Sequence, residues 1–401
     1  MSDETGQATE QETNRIGLWL IGARGSIGVT TAVGLSAIGH GLADLTGCVT
    51  ATLELAELPL VEVDRIVLGG HDITLTPIQA RAEQLAASGM LPAAAVTAAS
   101  GDLDRFDSEI RHGATAHANE AQAEIVDRLA TDITSFAERH ELARVIVVDV
   151  SSTEPLPEDR PEFHDAALLA EALSDPQQAP LPPSSLYALA AIRAGAPLAC
   201  FTPSASLGLA VLQELAADRI PYAGQDGKTG QTLLRTALAP TLVRRGFRVL
   251  SWAGANVLGG GDGATLADPQ AVGSKLTSKN RGLRSLVGDH VVTPLHIDNV
   301  PDLGDIKTAW DHIHAAGFLG STITLQTIWT AYDSMLAAPL VIDLARLLDL
   351  ADRSGARGRI GELGFFFKDP WGSDVHDYAL KAQSLYVWAR ERAGAVTELT
   401  R

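Results

Sequence analysis

Ile16-Gly-Leu-Trp-Leu-Ile21, followed at once by Gly22-Ala-Arg-Gly25-Ser-Ile-Gly28, is the stretch that decides the fold. Its first six residues are a short apolar run of the kind that forms a buried parallel strand. The glycines then make a tight turn, and Val29, Ala32, Val33 and Ala37 fall on one face of a helix. Strand, glycine-rich turn and helix, in that order, is the context in which N–H groups at a helix start cradle a dinucleotide. The spacing is GxxGxxG rather than the commoner GxGxxG, and a strand-to-helix turn without a ligand would read the same way.

Further along, Gly47–Leu53 reads as a second strand closed by Glu54, a carboxylate able to accept hydrogen bonds from a ribose. Asp64–Leu68 reads as a third strand running into a Gly69-Gly70 turn with His71 and Asp72, so Asp72 competes with Glu54 for that role. Helical patterns fill much of 76–141. Arg144–Val150 is another buried strand, ending in Ser151-Ser152-Thr153-Glu154. Residues 154–183, rich in Pro, Asp and Glu, read as a long surface loop with one helix inside. Ser185–Ala194 reads as a helix and Pro197–Phe201 as a strand. This alternation predicts an α/β fold with a doubly wound parallel sheet. After about residue 230 the texture changes: strand-like runs at Arg248–Trp252 and His290–Ile297 with glycine-rich turns suggest a mixed second region. From about residue 334 long apolar helices return.

The chain has 401 residues, 46% of them hydrophobic, and a formal net charge of −18. That composition supports a full core, and the charge argues against nucleic acid or an anionic membrane as partner. No stretch is long and apolar enough to span a bilayer. Residues 1–14 are polar and acidic, lack the pattern of a signal peptide, and read as a disordered tail. Cys48 and Cys200 sit in apolar surroundings, read as buried thiols, and fit a reducing cytoplasm. The histidines are scattered without cysteine partners, so no metal site is expected.

Lysine is scarce: Lys228, Lys275, Lys279, Lys307, Lys368 and Lys381 are the only six, and residues 1–227 have none. Arginine serves for ordinary surface charge, while an ammonium can be desolvated and can transfer a proton. Ala223–Thr232 combines Asp226, Lys228, Thr229, Gly230, Gln231 and Thr232 just before a helical pattern, which resembles a phosphate cradle without Walker spacing. Lys275 and Lys279 stand four apart after Asp268-Pro269; on a helix they share a face and would hold an anion between them. Lys368 follows Phe365-Phe-Phe and is expected to be partly desolvated. A solvated face or a snorkelling head is the plainer reading of each.

Taken together, these segments resemble the myo-inositol-1-phosphate synthase (inositol-3-phosphate synthase) family over most of residues 16–375. Gly22–Thr31 is similar to its glycine-rich loop, Gly69–Ile73 to its Gly-Gly-Trp-Asp-Ile, and Ser185–Ala191 to its helix motif. Ala223–Thr232 is similar to its Ala-Gly-Asp-Asp-x-Lys-Ser-Gly-Gln-Thr, Asn256–Gly263 to its Asn-His-Leu-Gly-Asn-Asn-Asp-Gly, and Gly273–Asn280 to its Ser-Lys-x-x-Ser-Lys. Leu303–Lys307, Asp333–Leu340 and Phe367–Pro370 fit its later motifs.

The resemblance implies a Rossmann-type NAD domain over 15–232, completed by 334–401, with an inserted α+β catalytic and tetramerisation domain over 233–333. It implies a redox-neutral isomerisation. C5 of glucose 6-phosphate is oxidised with NAD, C6 attacks the C1 aldehyde in an intramolecular aldol reaction, and the C5 ketone is reduced to give 1L-myo-inositol 1-phosphate. By the same resemblance, Gly22, Gly25, Ser26, Ile27, Gly28, Asp72, Ser151, Asp262 and Asp333 bind the cofactor. Thr229, Gly230, Gln231, Thr232 and Lys279 hold the phosphate. Lys307 and Lys368 serve the C5 and aldol oxygens, while Lys275 and Asp226 orient hydroxyls and relay protons. The expected partner is a small phosphorylated sugar, in a homotetramer.

Departures fall near the sugar. Gly260 and Gly261 replace paired Asn, Gln225 replaces the first Asp of the Asp pair, and Ser26 replaces the loop Asn. Asp149-Val-Ser-Ser-Thr-Glu154 replaces Trp-Thr-Ala-Asn-Thr-Glu. Hydroxyl-binding groups dominate substrate choice, so fructose 6-phosphate closing to a five-membered cyclitol phosphate stands as an alternative. A net NAD dehydrogenase and a non-catalytic NAD-binding protein rank behind it.

Overall fold

A computed structural model describes residues 15–115, 119–259 and 282–399. Seven strands form one parallel sheet: β1 (Ile16–Ile21), β2 (Ile66–Asp72), β3 (Ile110–His112), β4 (Arg144–Asp149), β5 (Leu198–Cys200), β6 (Pro221–Gly224) and β11 (Gly358–Arg359). Their order is β11-β6-β5-β4-β1-β2-β3. Ile16 of β1 pairs with Ile66 of β2 and Arg144 of β4, and the registers run in step to His71 and Asp149. Side chains alternate across a strand, and β1 uses both faces. Ile16, Leu18 and Leu20 pack into a core with Val29, Val33, Leu344 and Leu348, whereas Trp19 and Ile21 enter a second with Ile125, Leu129, Phe136 and Leu186. Burial on both sides is why the strand reads as one apolar run.

Helices α1 (Ser26–Gly39), α2 (Ile78–Ala87) and α3 (Ala93–Ser108) follow β1 and β2. The next helices are α4 (Gln122–Arg139), α5 (Ala166–Ser174), α6 (Pro183–Ala194) and α7 (Ala210–Ala216). α8 (Gln231–Arg244) leads out of β6 into a second, mixed sheet of β7 (Arg248–Leu258), β8 (Leu295–Asn299), β9 (Ile306–Ala316) and β10 (Thr322–Tyr332), ordered β10-β9-β7-β8. The chain then returns through α9 (Asp333–Arg353) to add β11 to the first sheet, and ends in α10 (Tyr378–Leu399).

Two sequence expectations are corrected. Gly47–Leu53 is not a strand: it holds a single 3-10 turn, Val49–Ala51. The carboxylate of Asp343 on α9 accepts the N–H groups of Val49 (2.7 Å) and Thr50 (2.9 Å) and the Thr50 hydroxyl (2.6 Å), so a side chain takes the donors a sheet neighbour would use. Glu54 is exposed as a result. Gly69-Gly70 is not a turn but the middle of β2. A Cβ on Gly69 would lie 2.7 Å from the Trp19 ring, and one on Gly70 2.3 Å from the Leu20 carbonyl. These glycines let β2 lie close against β1. The β9–β10 hairpin also went unread, because its strands carry Thr, His and Gln on an open face.

Gly70→Ala is expected to cost about 3 kcal/mol or more, because the contact is with backbone that cannot yield. A denaturation midpoint within a few tenths of wild type would contradict this packing.

Candidate active site

The strand order reverses between β1 and β4, the switch point where open α/β sheets place ligands. A cleft of about 740 Å³ opens there. Its walls include Gly22, Gly25, Ser26, Ile27, Asp72, Ser151, Asp226, Thr229, Lys307, Asp333 and Lys368. The turn after β1 has the shape the sequence suggested. Gly22 has φ +81, and a Cβ there would lie 2.7 Å from Ser151 Cα, so only glycine lets the ends of β1 and β4 approach. A Cβ on Gly28 would meet the Ala23 carbonyl at 2.3 Å, which keeps the first turn of α1 tight on the strand end.

Asp72 lies at the end of β2 and is held by the glycine loop itself. One oxygen accepts Arg24 N–H at 2.7 Å; the other accepts Thr74 N–H at 2.7 Å and the Thr74 hydroxyl. Of the two candidate ribose carboxylates, Asp72 lines the cleft and Glu54 is not part of its wall. Arg81 donates to Ser26 Oγ at 2.8 Å and also lines the cleft. Across it, Ser151 donates to Asp149 through its N–H (3.1 Å) and hydroxyl (2.6 Å). Burial pushes the Asp149 carboxyl up to about 6; the Ser151 hydrogen bonds oppose this and nearby Glu154 adds to it.

The deep end of the cleft gathers the predicted reactive groups. Lys368 Nζ donates to Asp226 Oδ1 at 2.7 Å. Lys307 Nζ donates to Asp333 Oδ2 at 2.6 Å, and Thr229 Oγ1 to Asp333 Oδ1 at 3.0 Å. Burial would raise the Asp333 carboxyl, but Lys307, Lys368 and the Thr229 bond outweigh it and hold it well below the usual carboxylate range. Lys307 comes from β9, Thr229 from the loop before α8, Asp333 from the start of α9 and Lys368 from the segment after β11. Both sheets therefore contribute.

Not every expected residue is in the wall. Gly230 and Gln231 are buried beneath it and Thr232 is half-buried at the start of α8. Lys275, Lys279 and Asp262 lie outside the described residues. Asn256 on β7 was missed as a site residue. It is wholly buried, it lines the cleft, and among the described residues neither of its amide atoms has a partner. A buried amide of this kind calls for a polar partner, ordered water or a ligand. The only sequence signal was its place as the first residue of Asn256–Gly263. Ser184 and Glu154, hydrogen-bonded to each other, also line the cleft unannounced.

Burial perturbs two lysines among the described residues, Lys228 and Lys381, and pushes Lys381 down to about 8. The Lys228 Nζ is buried, lacks a hydrogen-bond partner among the described residues and lies 5.6 Å from the Phe365 ring centroid. Burial, and then the neighbouring Lys381 ammonium, push it down to about 7.

Residues 16–390 match the family model described as myo-inositol-1-phosphate synthase, an NAD-binding family. The chain is 30% identical to inositol-3-phosphate synthase 1 of Bacteroides thetaiotaomicron, over 93% of this chain and 92% of that one. It is 28% identical to the inositol-3-phosphate synthase of Spirodela polyrhiza, over 93% and 81%. The inositol-3-phosphate synthase structure from Caenorhabditis elegans superposes with a TM-score of 0.82 at 22% identity, covering 95% of this chain and 86% of that one. A related Thermotoga maritima structure gives 0.75 at 21% identity, covering 94% and 99%. The fold is that of an α/β protein with a cleft at the switch point of its parallel sheet. The chain belongs to the myo-inositol-1-phosphate synthase family, a family of isomerases.

Lys228→Met follows from the buried ammonium. Below about pH 7 the folded protein carries the full cost of burying that charge; between about 7 and 10.5 the folded state binds fewer protons than the unfolded, so wild-type stability rises with pH. The variant is expected to raise Tm by about 3 °C or more near pH 6, with the gain shrinking towards pH 9. A gain that grows with pH would contradict this.

Proposed function

We propose that this protein is an NAD-dependent cyclitol-phosphate synthase that converts glucose 6-phosphate to 1L-myo-inositol 1-phosphate without net redox change. The observation that carries the reading is the meeting of Lys307, Lys368, Asp226, Asp333 and Thr229 at one end of a cleft whose other end is the glycine turn.

NAD fits the residues present: the glycine turn holds the ends of β1 and β4 and the start of α1 close together where a Cβ would collide, and Asp72 is fixed beside it. When bound, NAD supplies a hydride acceptor and donor for C5. The chain supplies the rest. Lys368 and Lys307 would place N–H donors on the oxygens that become alkoxide or enolate, where a fixed ammonium in a dry cleft is worth most. Asp226, already accepting from Lys368, would take or return a hydroxyl proton. Asp333, held ionised, anchors Lys307 and Thr229 and faces the cleft beside the proposed nicotinamide position. The first N–H groups of α8 have no intrahelical partner, so the backbone of Thr229–Thr232 would receive the phosphate, the Thr229 hydroxyl being already donated to Asp333. Lys275 and Lys279 are proposed to join this set, with Asp262 on the cofactor. Asn256 would bind a sugar hydroxyl.

The reading includes a homotetramer. The outer face of the second sheet supports it, with Ile328 73% exposed opposite half-buried Trp310. With both cysteines free and buried, it also includes a cytoplasmic setting. The inserted domain is proposed at 233–333, with 334–401 returning to the first sheet.

The test is incubation with NAD and either glucose 6-phosphate or fructose 6-phosphate, followed by phosphorus NMR and mass. An isomeric cyclitol phosphate from glucose 6-phosphate is expected, and Lys368→Met should lower kcat by ~10³-fold. Isomer from fructose 6-phosphate alone would assign the five-membered product instead. Unchanged activity in Lys368→Met would remove the lysine mechanism.

A further inference from the structure

Beneath the loop proposed to hold phosphate lies a buried charged cluster that no step above uses. Asp311, on β9, is buried and receives four donors. Oδ1 accepts Arg235 Nε (2.9 Å), Arg235 Nη2 (2.7 Å) and Trp252 Nε1 (2.7 Å), and Oδ2 accepts Gln231 Nε2 (3.0 Å). Gln231 and Arg235 are four apart on the first turns of α8 and share one face. The neighbouring strand is shaped for them: a Cβ on Gly254 would lie 2.3 Å from Arg235 Nη2. Among the described residues Gln231 Oε1 and Arg235 Nη1 have no partner.

Two features make this more than core filling. A buried ion pair is a poor way to gain stability, since apolar residues of the same volume do as well or better. And the cluster links the start of α8 to the strand that carries Lys307, at the deep end of the cleft. Lys307 and Asp311 stand four apart on β9, on the same face and ~13 Å apart. One strand therefore carries both the ammonium on Asp333 and the carboxylate that grips the start of α8.

We propose that Asp311 is a positioning residue. Through Gln231 and Arg235 it fixes the rotation of the first turn of α8 relative to Lys307, so that the N–H groups of Gly230–Thr232 meet the substrate phosphate at a set distance from the reacting carbons. The Gln231 side chain serves this anchor, and the Thr229 hydroxyl serves Asp333, leaving backbone N–H groups and the Thr232 hydroxyl as phosphate donors. The proposal rests on the reading of Thr229–Thr232 as the phosphate loop.

The test is calorimetric titration of the NAD-loaded protein with inorganic phosphate, with KM and kcat for the sugar phosphate alongside. Wild type is expected to bind phosphate; if it does not, the phosphate-loop reading fails before any variant is examined, and this proposal with it. Asp311→Asn and Gln231→Met should each weaken phosphate about tenfold, raising KM more than they lower kcat, and the double variant should be no weaker than either single one. Additive losses, or wild-type affinity in Asp311→Asn, would overturn the proposal. Should Asp311→Asn fold poorly, Arg235→Met/Asp311→Leu removes both buried charges and is expected to recover Tm. If that variant recovers phosphate affinity with Tm, the cluster is structural only; if it stays about tenfold weak at wild-type Tm, Asp311 positions the loop.

Discussion

Lys368 reaches the cleft because the turn that carries it pairs, backbone to backbone, with the segment around Asp226. Lys368 N–H donates to Asp226 O at 2.7 Å, Gln225 N–H to Asp369 O at 2.9 Å, Lys228 N–H to Phe366 O at 2.8 Å and Trp371 N–H to Gly224 O at 2.7 Å. Phe366 and Phe367 are buried behind it, and Gly227 presses so close to Phe201 that a Cβ would lie 2.1 Å from the ring. The Lys368–Asp226 pair is then made by two side chains whose backbones are already fixed, so little entropy is lost in forming it. Residues 142 apart in sequence thereby act as one unit. The long detour between them, through α8, the second sheet and α9, is held to the same unit by Lys307 and Thr229 on Asp333.

On the proposed function, this arrangement also reconciles an acidic chain with an anionic substrate. Net charge of −18 would repel a sugar phosphate over most of the surface. The cationic groups of the cleft wall are Arg81, beside the glycine turn, and Lys307 and Lys368, held by Asp333 and Asp226. On the proposed mechanism those carboxylates orient the ammoniums towards oxygens that gain charge only during reaction.

Much of this was legible in the sequence, for physical reasons that differ by region. β1, β4 and their following turns were clear because strands buried on both faces are unbroken apolar runs, and because Gly22 must accept a left-handed φ. The lysines stood out because arginine had taken over surface charge. Gly47–Leu53 misled because β-branched residues there serve a turn whose donors are met by Asp343, nearly 300 residues away. The β9–β10 pair was hidden by its open face, where Thr and His alternate with half-buried residues. Asn256 was legible only as the first residue of Asn256–Gly263, and the Asp311 cluster not at all, since their meaning lies in what surrounds them rather than in spacing. Partial desolvation beside Phe365-Phe-Phe was expected of Lys368, whose side chain is 14% exposed and paired with Asp226; the ammonium that lies over the Phe365 ring is that of Lys228, read from the sequence only as part of a phosphate cradle.

The central claim is that one cleft takes a hydride from C5 and gives it back to the same molecule. The measurement that tests it most directly is turnover of glucose 6-phosphate carrying deuterium at C5, with NAD present at the protein concentration, followed by mass spectrometry of the phosphorylated product. The account predicts an isomeric product that keeps the deuterium, with no NADH accumulating. Loss of the label from the product, or NADH released in step with substrate consumed, would contradict it.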